Sequence, residues 1–127
     1  MSASEAPALD AIAMQLVAAL DEYELDAANM IAAWPDLEQY AAVSEKVETI
    51  RMFCAALPEV SVPWVELLIA HAELVHHLWR VQYALVKMDD AGSQMATVRE
   101  RHAAAIAALR NRCLRSVGRA HRQPSTS

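Results

Sequence analysis

Apolar residues recur at three- and four-residue steps through nearly the whole chain, and that spacing constrains the fold more than any other feature of the sequence. It puts them on one face of an α-helix, whereas a half-buried strand would need strict alternation. The first stripe is Leu9, Ile12, Leu16, Leu20, Tyr23, Ala27, Met30 and Trp34, with Asp10, Asp21, Glu22, Glu24 and Asp26 on the wet side. It predicts a helix over about 8–33. Pro35 ends it, because its ring disfavours helical geometry at Trp34 and removes an N–H donor.

A second stripe, Tyr40, Val43, Val47, Ile50, Cys54 and Leu57, predicts a helix over about 36–57, with Asp36 as the cap and Gln39 as its capping-box partner. "LPEVSVPW" then reads as the longest loop, with Ser61 capping a third helix over about 62–89. This helix carries two apolar seams. One is Trp64, Leu67, His71, Leu74, Leu78, Val81, Leu85 and Met88, and the other is Leu68, Ala72, Val75, Trp79 and Val86. Two seams imply two neighbours, so the third helix is expected at the centre.

"DDAGS" supplies a glycine stop and a new cap at Ser93, which predicts a short hairpin into a fourth helix over about 93–117. Its stripe is Met95, Val98, His102, Ile106, Leu109, Cys113 and Val117. Much of the rest is alanine, so this helix is expected to be the most weakly held. The chain has only two glycines, Gly92 and Gly118, against 26 alanines, and no Asn-Gly or Asp-Gly pair, which disfavours hairpin strands. The expected fold is all-α: an antiparallel up-down-up-down four-helix bundle forming one domain over 1–119, then a disordered polar tail over 120–127.

Net charge is −5, unevenly spread. Residues 1–60 hold eleven acids and two bases, and residues 61–127 hold five acids and nine bases. Seven arginines fall between Arg99 and Arg122 against the single acid Glu100, so a basic last helix faces an acidic first one. Pairing between these helices, or with an acidic partner, accounts for the asymmetry. Overall acidity and the lack of interleaved aromatics argue against nucleic acid. No run reaches the roughly 18–20 uncharged apolar residues of a membrane span. "MSASEAP" lacks a basic n-region and an apolar h-region, so the expected location is the cytoplasm. Cys54 and Cys113 sit on helical stripes in no metal spacing and read as buried structural thiols.

The segment "AANMIAAWPDLEQYAAVSEKVETIRMFCAALPE", from Ala27 to Glu59, resembles the first hairpin of FliT-type flagellar export chaperones, where a helix ends in a Trp-containing turn followed by a helix of similar length. The third helix and a separate last helix match that layout. The resemblance implies a non-enzymatic chaperone that binds a helical segment of an export substrate in an apolar groove covered by a mobile last helix.

Catalytic motifs are absent from the sequence, and no cofactor is expected. The expected function is therefore protein binding by helix-in-groove recognition. The expected partner surface lies under the basic last helix, at Trp64, Leu67, Trp79 and Ile106 with Arg110, Arg112 and Arg115; a homodimer would use the two seams of the third helix. The alternative is a metal or redox bundle. Glu73-x-x-His76 has the form of a di-iron half-site, and Glu73 and His77 at i, i+4 would supply two zinc ligands. No second Glu-x-x-His exists, and Arg80 and Arg99 lie where a cation would sit, so hydrogen-bonded histidines on a half-exposed strip are the simpler reading. An arginine-tracked nucleic-acid adaptor is the third.

Overall fold

A computed structural model describes the backbone of residues 5–84 and 88–122, and the side chains of residues 8–84 and 90–117. Four helices account for most of it: α1 (Glu5–Ala33), α2 (Leu37–Ala55), α3 (Ser61–Gln82) and α4 (Met88–Arg122). No strand occurs among the described residues.

The first turn follows from local chemistry. Pro35 closes α1, and the Asp36 carboxylate accepts hydrogen bonds from the backbone N–H groups of Glu38 (2.9 Å) and Gln39 (3.4 Å), two of the orphan donors opening α2. Between α2 and α3 a 3-10 turn, Pro58–Val60, replaces the expected loop. Ser61 is not a cap. Its own N–H is taken by the Pro58 carbonyl, so the chain passes from the 3-10 turn straight into α3.

The second half of the chain departs from the expected boundaries. α3 stops at Gln82 rather than near residue 89, and α4 begins at Met88 rather than at Ser93. Ala84 makes the turn at φ 56°, a left-handed conformation usually left to glycine. "DDAGS" is helical instead, with Gly92 exposed inside α4 and Ser93 Oγ donating to the Asp90 carbonyl at 3.2 Å. The expected seam positions Leu85 and Val86 lie outside the described residues. α4 also runs beyond the expected end at 117, to Arg122, so the first residues of the expected tail are helical; the rest of that tail lies outside the described residues.

Side-chain pairs give every direction. Glu22 meets Lys46 while Trp34 meets Tyr40, Asp21 meets Arg110 while Tyr23 meets His102, and Arg80 lines a cleft with Gln94 while Glu66 lines one with Ala108, so α1/α2, α1/α4 and α3/α4 are each antiparallel. One core runs through the bundle. Leu16, Leu20, Tyr23 and Met30 of α1 pack with Val43 and Ile50 of α2, Leu67 and Leu74 of α3, and Ile106 and Leu109 of α4, all at most 2 % exposed.

The helices are not equally engaged, and two expectations change. α1 packs extensively on both α2 and α4, and α4 on both α1 and α3, while α2 and α3 barely meet. The first and last helices, not α3, are therefore the two-sided ones. α4 is also not weakly packed: its alanines let backbones approach closely, and it buries Ala105, Ile106, Leu109 and Cys113. The second seam of α3 is only partly covered: Val75 packs against the core and Trp79 against Trp34, while Leu68 and Ala72 are exposed.

The misplaced turn makes a stability prediction. A Cβ at Gly92 would meet nothing within 4 Å, so Gly92→Ala should stabilise by about 0.5–1 kcal/mol through backbone entropy. Ala84→Gly should gain up to about 1 kcal/mol by relieving the left-handed alanine. Both should appear as higher urea midpoints at unchanged slope; a lower midpoint for Gly92→Ala would contradict a helical residue 92.

Candidate functional site

Tyr23, His71 and His102 stand on the apolar stripes of α1, α3 and α4, and each carries a polar tip into the core. Burying such a tip costs free energy unless it finds a partner. They find one another: the Tyr23 hydroxyl lies 2.8 Å from His71 Nδ1 and 2.6 Å from His102 Nε2. Tyr23 is fully buried and His102 is 7 % exposed. A phenol has one proton to donate, so one imidazole nitrogen accepts it and the other ring donates N–H to the phenol oxygen. Both rings are neutral in that arrangement.

Burial holds them so. It lowers the pKa of His71 and, with repulsion from Arg99 and from His71 whenever that ring is protonated, brings His102 from 6.5 to about 4. It also pushes the Tyr23 phenol above its usual value, so this phenol is not an anion at neutral pH. The cluster is a structural tie between three helices. The sequence carried its signal: polar-tipped residues on three separate core stripes must pair with each other or remain unsatisfied.

The expected metal residues share one side of α3 but differ in burial and pairing. His77 is buried at 4 % exposure, His76 is exposed, and the Glu73 carboxylate is held by Arg101 at 3.5 Å. Among the described residues no group of three or more His, Cys, Asp or Glu side chains is arranged to hold a metal ion. The turn at Ala84 also shifts the α3/α4 register by about two helical turns from a turn at "AG", so that position 73, and not one near position 80, stands opposite position 101. His102 consequently faces His71.

The expected partner residues also divide. Leu67 and Ile106 are core, at 2 % and 1 % exposure. Trp64 is partly buried against the core, and Trp79 packs edge-on to Trp34 with ring centroids 4.6 Å apart and stacks on Tyr83. Arg110 reaches across to α1, donating to Asp21 at 2.7 and 3.1 Å and to Glu24 at 3.1 Å. Arg112 is half-buried, with its Nε lacking a partner among the described residues, and Arg115 is exposed. The space beneath α4 is thus filled by core side chains.

What lies open instead is the outer face of α3. Val62, Val65, Leu68 and Ile69 are 67, 50, 40 and 55 % exposed, and Ala72 continues the face. Opposite it, Leu67, Ala70, Leu74 and Leu78 fill the core. A helix apolar on both sides is normally buried on both. Cys54 and Cys113 are buried, and burial pushes their thiols up to about 12, with Cys113 adding to the shift of Cys54, and to about 11 respectively, so neither is a thiolate nucleophile at neutral pH. No helix among the described residues is long and apolar enough to cross a membrane. No protein-family model matches the chain, and neither a curated protein nor a solved structure matches it.

Two predictions follow from the buried cluster. The histidines are neutral when folded and take protons near pH 6.5 when unfolded, so their contribution is complete above pH 6.5 and is lost as pH falls. For His102, whose folded value is about 4, the full loss is roughly 3 kcal/mol. Urea midpoints should therefore already fall between pH 6.5 and 5, above the range where paired carboxylates protonate; a flat profile there would refute neutral rings. Tyr23→Phe keeps the ring and orphans two nitrogens, so it should cost about 1–3 kcal/mol at pH 7, read in the same titration.

Proposed function

We propose that this protein is a non-enzymatic, cytoplasmic binding module whose outer α3 face docks an amphipathic helix of another protein. The observation that carries the reading is the apolar, solvent-facing run Val62, Val65, Leu68, Ile69 and Ala72 on a helix whose opposite side already fills the core. Contiguous exposed apolar surface of this kind marks interaction sites. Because α2 barely touches α3, a partner helix laid along α3 has room to pack as a fifth helix by ridges into grooves. Exposed Glu59 and Glu66 beside the run favour a partner with basic flanks.

This surface needs no opening of the bundle. Binding beneath α4, at Leu67 and Ile106, would require that helix to leave both α1 and α3. An export chaperone or adaptor is the specific form of the reading that the helical layout suggests. Metal chemistry at Glu73, His76 and His77 has less support, since among the described residues no group of three or more such side chains is arranged to hold a metal ion.

The experiment places a photo-crosslinking residue at position 65 or 69 in cells and compares the chain with Val65→Ser/Ile69→Ser. Both sites are at least half exposed, so the double substitution should change stability by no more than about 0.5–1 kcal/mol while abolishing the crosslink. A crosslink to a defined partner protein, lost in the variant, supports the reading. Crosslinks only between copies of this chain, matched by a concentration-dependent dimer, would reassign the face to self-association. No crosslink at either position would overturn it.

A further inference from the structure

Between α3 and α4, bordering the Ile69 edge of the apolar face, lies a cleft of about 380 Å³. Its walls include Glu73, His77 and Arg80 of α3 and Gln94, Thr97 and Arg101 of α4, with His76 at the edge. The size is within the range of small-molecule sites. Three features bear on what it takes.

Arg80 makes no ion pair among the described residues. Arg101 is held by Glu73 at 3.5 Å, with both side chains well exposed at 62 and 42 %, so that contact is weak and readily exchanged. The third feature is His77. Its ring forms part of the wall at 4 % exposure, and its Nε2 is buried without any hydrogen-bond partner among the described residues. An unpaired buried polar atom is destabilising, and an acceptor oxygen that reached Nε2 from the cleft, with the ring proton on that nitrogen, would relieve it. A cation fits poorly. Two guanidiniums line it against a single carboxylate, and among the described residues no group of three or more His, Cys, Asp or Glu side chains is arranged to hold a metal ion.

We propose that this cleft is a binding site for a small molecule bearing an oxyanion, a phosphate or a carboxylate, held by Arg80 and Arg101 and accepting an N–H hydrogen bond from His77. Guanidinium forks match both groups, because two parallel N–H donors meet two oxygens. Thr97 Oγ1 is committed to the Ser93 carbonyl at 3.1 Å, so the remaining neutral donor in the wall is the Gln94 amide. The site uses the polar residues beside the apolar face and does not depend on the protein-docking reading.

The test titrates the full chain with inorganic phosphate and, separately, with acetate, following the ring signals of His76 and His77 by NMR. A saturable shift of the His77 ring with at least one anion is expected, and the arm that binds more tightly identifies the oxyanion. Arg80→Gln and Arg101→Gln should each weaken binding about tenfold, the loss of one charge-assisted pair. Arg51→Gln, an exposed guanidinium paired with Glu48 on α2, should leave it unchanged. The proposal fails if neither anion saturates, or if Arg51→Gln weakens binding as much as Arg80→Gln. It fails equally if zinc, and not an anion, shifts both rings.

Discussion

The contact on which the bundle depends is the buried meeting of Tyr23 with His71 and His102. An apolar core tolerates sliding and rotation of its helices at modest cost, because one methyl resembles another. Hydrogen bonds of 2.6 and 2.8 Å do not, since a helix displaced by a fraction of a turn leaves a buried nitrogen unpaired. The cluster therefore sets α1, α3 and α4 in one register. α2 takes no part in it. That helix is held on one side, by α1, through Val43, Ile50 and the Lys46–Glu22 pair at 2.6 Å, and it scarcely reaches α3. The uncovered face of α3 follows from this division, because three helices are tied together and the fourth is attached to only one of them.

Fold class was legible because the stripes are long and repeat without interruption. Leu16, Leu20, Tyr23 and Met30, or Ile106, Leu109 and Cys113, are buried as their spacing requires. Pro35 and Asp36 fix the first turn by local chemistry, and it falls where they put it. The α3/α4 turn was not legible for an equally physical reason. A glycine next to a cap residue is the usual stop, yet here Gly92 is helical and an alanine takes the left-handed position. Alanine is the strongest helix former, so nothing local announces that residue 84 leaves the helix. Tertiary packing decides the turn instead. That displacement carried the candidate site with it, because it changes which α4 residues stand opposite Glu73 and His77.

The charge asymmetry is in part internal. Arg110 spans α4 to α1 and satisfies Asp21 and Glu24 together, and Arg101 spans α4 to Glu73. These guanidiniums are oriented by acids of the same chain, and such exposed pairs contribute at most about 1 kcal/mol each. A continuous phosphate-tracking stripe needs its arginines free and on one face. Arg101 and Arg110 instead point to different neighbours, so the basic count of α4 describes a helix seated between two partners more than a nucleic-acid surface.

"HAELVHH" condenses the relation between sequence and site. Within seven residues, His71 enters the core to meet Tyr23, Glu73 turns to Arg101, His76 faces solvent and His77 is buried beside the cleft. A helix advances about 100° per residue, so neighbours in a cluster of like side chains are dispersed rather than gathered. Metal sites on helices overcome this by taking residues from several helices at matched heights, as the Tyr23 cluster does for hydrogen bonds. The four polar side chains of this stretch instead mark three environments of one helix: the core, the cleft with α4, and the solvent edge. α3 thus divides its surface into a tied interior, a polar cleft carrying two guanidiniums and an apolar exterior, the last two meeting where Ile69 stands beside Glu73.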